Sequence, residues 1–146
     1  MDAEKKKQLV LSLNRFLREK YNTEVVFSGS LGLFLSGIDL GRESHDIDVK
    51  VIGIDPNILR KDKKNYDFEF PVHFLGYGKI SYPEKYHEVD INGEKVLVST
   101  VETIMNYKKS SIKFNETRKI KNEFTERKRQ KDIRDLEYIK EKYGIE

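Results

Sequence analysis

Asp46-Ile47-Asp48-Val49-Lys50-Val51-Ile52 alternates polar and apolar residues along most of its length. Period-two patterning is the mark of a strand with one buried face. It puts Ile47, Val49 and Val51 on the core side and leaves both aspartates on the other. Carboxylates at i and i+2 then project from one face, about 6 to 7 Å apart along the strand. That is close enough to share divalent cations, and hard cations such as Mg²⁺ favour such oxygen ligands while keeping waters and substrate phosphates as the rest of their shell. Taken alone, an acidic strand face is more often simply solvated. The residues before it decide the matter.

Phe27-Ser28-Gly29-Ser30 is separated from Asp46 by fifteen residues. Val25-Val26-Phe27 is a short apolar run rich in β-branched residues, which reads as a buried strand stopped by the Gly-Ser turn. Residues 31–38 are mostly apolar and read as a short buried helix ending at Gly37 or soon after. A turn between strand and helix offers backbone amides, the Ser30 hydroxyl and the positive helix end to a phosphate. Turn and acidic strand together make a metal–triphosphate cradle.

Elsewhere, residues 4–20 carry Leu9, Leu13, Phe16 and Leu17 on one stripe of an amphipathic helix. Residues 39–45 read as a loop, and 53–65 as a connection with one helical turn. Residues 68–75 form another aromatic and β-branched run, in which Pro71 predicts an edge or a bulge. Asn92-Gly93 between 86–91 and 94–98 predicts a hairpin, because a type I′ turn needs positive φ at both central residues. Ser99-Thr100-Val101-Glu102 reads as a capping box with Ser99 as N-cap, opening a helix through about Lys109. Ile133, Leu136, Ile139 and Tyr143 recur at helical spacing in a long terminal helix that ends at Gly144. The expected whole is a single α/β (α+β) domain over residues 1–146, with a small mixed sheet, flanking helices and a helical tail from about residue 99.

Composition narrows the function classes. With no cysteine, a disulfide framework, a thiolate metal site and a cysteine nucleophile are all excluded. No run approaches the roughly 18 apolar residues of a bilayer span, so no membrane role and a cytoplasmic setting are expected. The net charge is +3, yet residues 107–146 hold 13 Lys and Arg against 8 Asp and Glu. That basic tail suits a phosphate-bearing ligand or nucleic acid, and suits almost equally a solvated helix surface. Taken singly, Lys108 and Lys131 read as exposed helix lysines, and Asp132 as a surface partner of Arg129 or Lys128. His45 and His87 read as loop histidines, and the aromatic residues as core.

The pairing of Phe27-Ser28-Gly29-Ser30 with Asp46-Ile47-Asp48 resembles the nucleotidyltransferase superfamily, which includes DNA polymerase beta, aminoglycoside nucleotidyltransferases and AbiEii-like toxins. Leu31 to Gly37 looks like the family's apolar helix, and Ser44-His45-Asp46-Ile47-Asp48 like its approach to the acidic strand. Residues 98–104 followed by Lys108, and Arg129-Gln130-Lys131-Asp132-Ile133-Arg134-Asp135-Leu136, are similar to pieces of the toxin-type branch. The resemblance implies transfer of a nucleoside monophosphate from an NTP to an acceptor hydroxyl of RNA, protein or a small molecule. It implies Asp46 and Asp48 holding two Mg²⁺ (or Mn²⁺) ions, Gly29 and Ser30 on the β and γ phosphates, and Lys108 and Lys131 neutralising their charge.

The gap from turn to acidic strand is longer than the family's. The family also takes a third carboxylate from a neighbouring strand, here Tyr66-Asp67-Phe68-Glu69-Phe70-Pro71-Val72-His73-Phe74-Leu75. Asp67, Glu69 and His73 share parity there. Glu69 is preferred on chemistry, as the third catalytic and metal-binding residue. His73 has the more family-like setting between Val72 and Phe74. With His73 in that position, weaker metal binding is expected, in a module that binds nucleotide, RNA or a protein partner without efficient transfer.

Overall fold

A computed structural model describes residues 2–44, 46–63, 71–75 and 85–146. Helix α1 (Ala3–Tyr21) opens the chain, capped by Asp2, whose side chain accepts from the Lys5 amide, and closed by Asn22 in the left-handed conformation. Strand β1 (Glu24–Ser28) runs straight into α2 (Gly29–Leu35), which starts within the Gly-Ser turn, two residues before the expected helix. Strand β2 (Ile47–Ile52) follows the loop.

The 53–65 connection holds more helix than the single turn expected. Helix α3 (Pro56–Asp62) is capped by Asp55, with Pro56 in its first turn. Proline is favourable there, because its missing N–H has no helical partner to lose and its φ is already helical. Strand β3 (Val72–Leu75) begins just after Pro71. The run expected from Phe68 lies partly outside the described residues, as do His45, Asp67 and Glu69.

Strands β4 (Tyr86–Ile91) and β5 (Glu94–Ser99) form the expected hairpin. Asn92 and Gly93 have φ of 52° and 89°, the positive values its turn requires. The five strands make one mixed sheet in the order β3-β2-β1-β5-β4. β2–β3 and β1–β5 are parallel, and β1–β2 and β4–β5 antiparallel. Among the described residues β3 is therefore an edge, the first of the two alternatives that Pro71 predicted.

Alternation divides the sheet into two faces. Val25, Phe27, Val49, Val51, Val72, Phe74, Val96 and Val98 turn to one side, where Val10, Leu13 and Leu17 of α1 and Leu59 of α3 complete the main core. A second cluster joins Leu33 of α2 to Ile38, Leu40, Ile104, Met105 and Ile139. It anchors α4 (Val101–Thr117) and α5 (Glu123–Tyr143), which close the chain and end at Gly144 in the left-handed conformation. α4 outruns the expected Lys109 by two turns, because no glycine or proline interrupts it before Arg118. Among the described residues, no helix is long and apolar enough to cross a membrane.

The helix-opening residue differs from the sequence expectation. Ser99 still belongs to β5, and the N-cap is Thr100, whose hydroxyl accepts from the Thr103 amide at 3.2 Å. Ser99 is fully buried, and its Oγ has no hydrogen-bond partner among the described residues. Loss of a cap costs about 1 kcal/mol, whereas deleting an unsatisfied buried hydroxyl removes a penalty. Urea denaturation should therefore show Thr100→Ala destabilised by about 1 kcal/mol and Ser99→Ala unchanged or slightly stabilised.

Candidate functional site

Three adjacent strands bring the site together by register alone. Ser28 of β1 pairs with Asp48 of β2, and Asp48 pairs with His73 of β3. Side chains at one register position leave the sheet on the same side, and Asp46, two residues before Asp48, shares that side. This is the face opposite the main core. There Ser28, Gly29, Ser30, Asp46, Asp48 and His73 line a cleft of about 340 Å³ whose far wall is Tyr107 and Lys108 of α4 and Phe124, Lys128, Lys131 and Asp132 of α5.

Gly29 has φ of +62°, and a Cβ there would stand 2.5 Å from Asp48 Oδ2. Only glycine brings the turn this near the carboxylate. Ser30 Oγ accepts from Arg42 Nη2 at 3.1 Å, which leaves the hydroxyl hydrogen free to donate into the cleft.

Asp46, Asp48 and His73 each offer a ligand atom within 4.8 Å of the others. His73 Nε2 is 3.5 Å from Asp46 Oδ2, with the side chains 48% and 43% exposed. That separation exceeds a normal hydrogen bond, so the two groups remain open to a shared ligand. Burial pushes the Asp48 carboxyl above its ordinary range and Asp46 adds to the rise, against the opposing pull of His73, Lys128 and Lys108. The arrangement favours a cation beside the carboxylates, and two carboxylates with an imidazole are a fitting donor set. Of the three residues the sequence offered for the third position, His73 is the one that the described strand places beside the aspartates.

The lysines divide. Lys131 lines the cleft and is exposed. Lys108 also lines it, but is buried and already engaged: its Nζ donates to Asp135 Oδ2 at 3.0 Å and lies 3.7 Å from Asp132 Oδ1. Asp132 is accordingly no surface partner of Arg129 or Lys128, for it is buried against α4. Arg42 grips Asp135 with both prongs, at 2.8 and 2.7 Å. Burial would raise the Asp135 carboxyl, but Arg42 and Lys108 overcome that and hold it below the usual range.

Arg42, Lys128 and Asp135's role were missed in the sequence. Arg42 lies in a loop with no periodic signal. The stripe 132, 135, 139 on α5 does have helical spacing, but two of its members are acids. Tyr107 and Phe124, expected in the core with the other aromatic residues, are 56% and 69% exposed at the cleft.

The sheet order and the cleft at the end of β1 and β2 define the class: this chain has the nucleotidyltransferase-like fold. The solved structure of an antigenic nucleotidyltransferase-like protein from Paracoccidioides brasiliensis is similar to it with a TM-score of 0.56 and 20% identity, over 95% of this chain and 77% of that one. No protein-family model and no curated protein matches the chain.

Two stability effects follow. Because folding raises the Asp48 pKa, its ionisation opposes folding as pH climbs from the ordinary value of 3.8 through the raised one. Asp48→Asn should therefore raise the melting temperature of the chelator-treated protein at pH 7, with the gain fading as pH falls through that window. Asp135 has the opposite sign. Its stabilisation is present above the unfolded pKa and lost as pH falls through the depressed folded one. Asp135→Asn, which leaves Lys108 and Arg42 short of a counter-charge, should cost about 3 kcal/mol at pH 7 in urea denaturation.

Proposed function

We propose that the chain is a metal-dependent nucleotidyltransferase of the toxin-type branch its sequence resembles, moving a nucleoside monophosphate from an NTP to an acceptor hydroxyl. The observation that carries this reading is the shared register of Ser28, Asp48 and His73, with Gly29 pressed against Asp48 and lysines across the cleft. Asp46, Asp48 and His73 would hold the cation. When bound, it supplies positive charge to the phosphate oxygens and the attacking and leaving oxygens.

The chain's own groups would do the rest. The amides of Gly29 and Ser30 belong to a first helical turn, where N–H groups have no helical acceptor, and with the Ser30 hydroxyl they suit the β and γ phosphates. Lys128 and Lys131 add charge there. Lys108, tied to Asp135 and Asp132, positions the wall. The ring faces of Tyr107 and Phe124 suit a base at the cleft mouth. The acceptor oxygen bonds to the α-phosphorus as the bond to the bridging oxygen breaks, pyrophosphate departs, and the hydroxyl proton passes to water. Holding these partners in line is where most of such catalysis arises.

His73 itself favours a second reading, because an imidazole in place of a third carboxylate lowers the negative charge available to two cations. In that reading the chain binds nucleotide without efficient transfer. Labelled NTPs offered with RNA, protein and small-molecule acceptors separate the two. Transfer that drops at least about a hundredfold in Asp46→Asn and Asp48→Asn supports the enzyme. Transfer indifferent to both substitutions sinks the mechanism, while metal-dependent thermal stabilisation by NTP without turnover selects the binding module.

A further inference from the structure

We propose that the cation site is selective for a first-row transition ion such as Mn²⁺ over Mg²⁺, with His73 as its nitrogen ligand. The inference rests on the metal site of the preceding section and names the ion that site is built for.

Two observations lead there. The donors brought together are two carboxylates and one imidazole, Asp46, Asp48 and His73, with ligand atoms within 4.8 Å of one another. Mg²⁺ strongly prefers oxygen and sheds its water reluctantly, whereas imidazole is a good ligand for the later first-row ions, whose affinity rises from Mn²⁺ onward. Replacing one oxygen donor by a nitrogen therefore penalises Mg²⁺ more than Mn²⁺. His73 is also held for the task. It lies on edge strand β3 in register with Asp48, its neighbours Val72 and Phe74 are buried on the other face, and its ring is half exposed toward Asp46.

The test titrates the full chain with Mn²⁺ alone, following the free ion by electron paramagnetic resonance, and then adds Mg²⁺ as competitor. The wild type should bind Mn²⁺, yield it only to a large excess of Mg²⁺, and show imidazole nitrogen coupled to the bound ion in spin-echo modulation. His73→Asp should lose that coupling, and the Mg²⁺ excess needed for displacement should fall several-fold. An unchanged competition ratio in His73→Asp, or bound Mn²⁺ without nitrogen coupling in the wild type, overturns the proposal even if the variant folds poorly. Asp46→Asn separates this from failure of the underlying site. If Mn²⁺ binds the wild type and Asp46→Asn equally, or binds neither, the metal reading itself falls. If binding needs Asp46 but shows no nitrogen, only the choice of ion and ligand falls.

Discussion

Asp135 accepts from Arg42 through both carboxylate oxygens and from Lys108 through one, almost wholly out of contact with water. A buried carboxylate without partners costs several kcal/mol, and with two cations on it the same group becomes a clamp. Three segments far apart in sequence meet there: the loop before β2, α4 and α5. Arg42 extends the clamp to Ser30 of the Gly-Ser turn. Together with the apolar cluster around Ile139, this carboxylate holds α5, and with it the far wall of the cleft, against the rest.

The sheet supplies the near wall by a different principle. Strand register is set by burying Val25, Phe27, Val49, Val51, Val72 and Phe74 on one side, and a slip of one residue would carry these side chains into solvent. The hydrophobic core thus fixes where Ser28, Asp48 and His73 stand, although none of them belongs to it. Gly29 completes the approach, since a side chain there would collide with Asp48. The near wall is positioned by apolar burial, and the far wall by buried charge together with the second apolar cluster. Exposed lysines and aromatic rings occupy the mouth between them.

Much of this was legible residue by residue. The strand at 47–52, the hairpin around Asn92-Gly93 and the end of α5 at Gly144 all follow from local signals: alternation, a turn that needs positive φ, and a left-handed cap. Local signals also misled. Ser99 and Thr100 both suit an N-cap, and the choice fell to Thr100 because β5 keeps Ser99 for its pairing with Tyr86. The 53–65 connection was expected to hold one helical turn and holds α3, with Pro56 in its first turn. Asp132 and Lys108 read as surface charges and proved to be buried.

By itself the sequence determined the elements, the mixed α/β class, and the two ends of the cradle at Gly29-Ser30 and Asp46-Ile47-Asp48, because dihedral preference and burial period act over a few neighbouring residues. Only the tertiary structure decided what faces that cradle. Parity on one strand left Asp67, Glu69 and His73 equivalent, and it is the parallel pairing of β3 with β2 that sets His73 opposite Asp48. Arg42 and Asp135 lie 93 positions apart. Electrostatic partners at that distance have no periodicity to betray them, and they meet only once the apolar core has folded the chain back on itself.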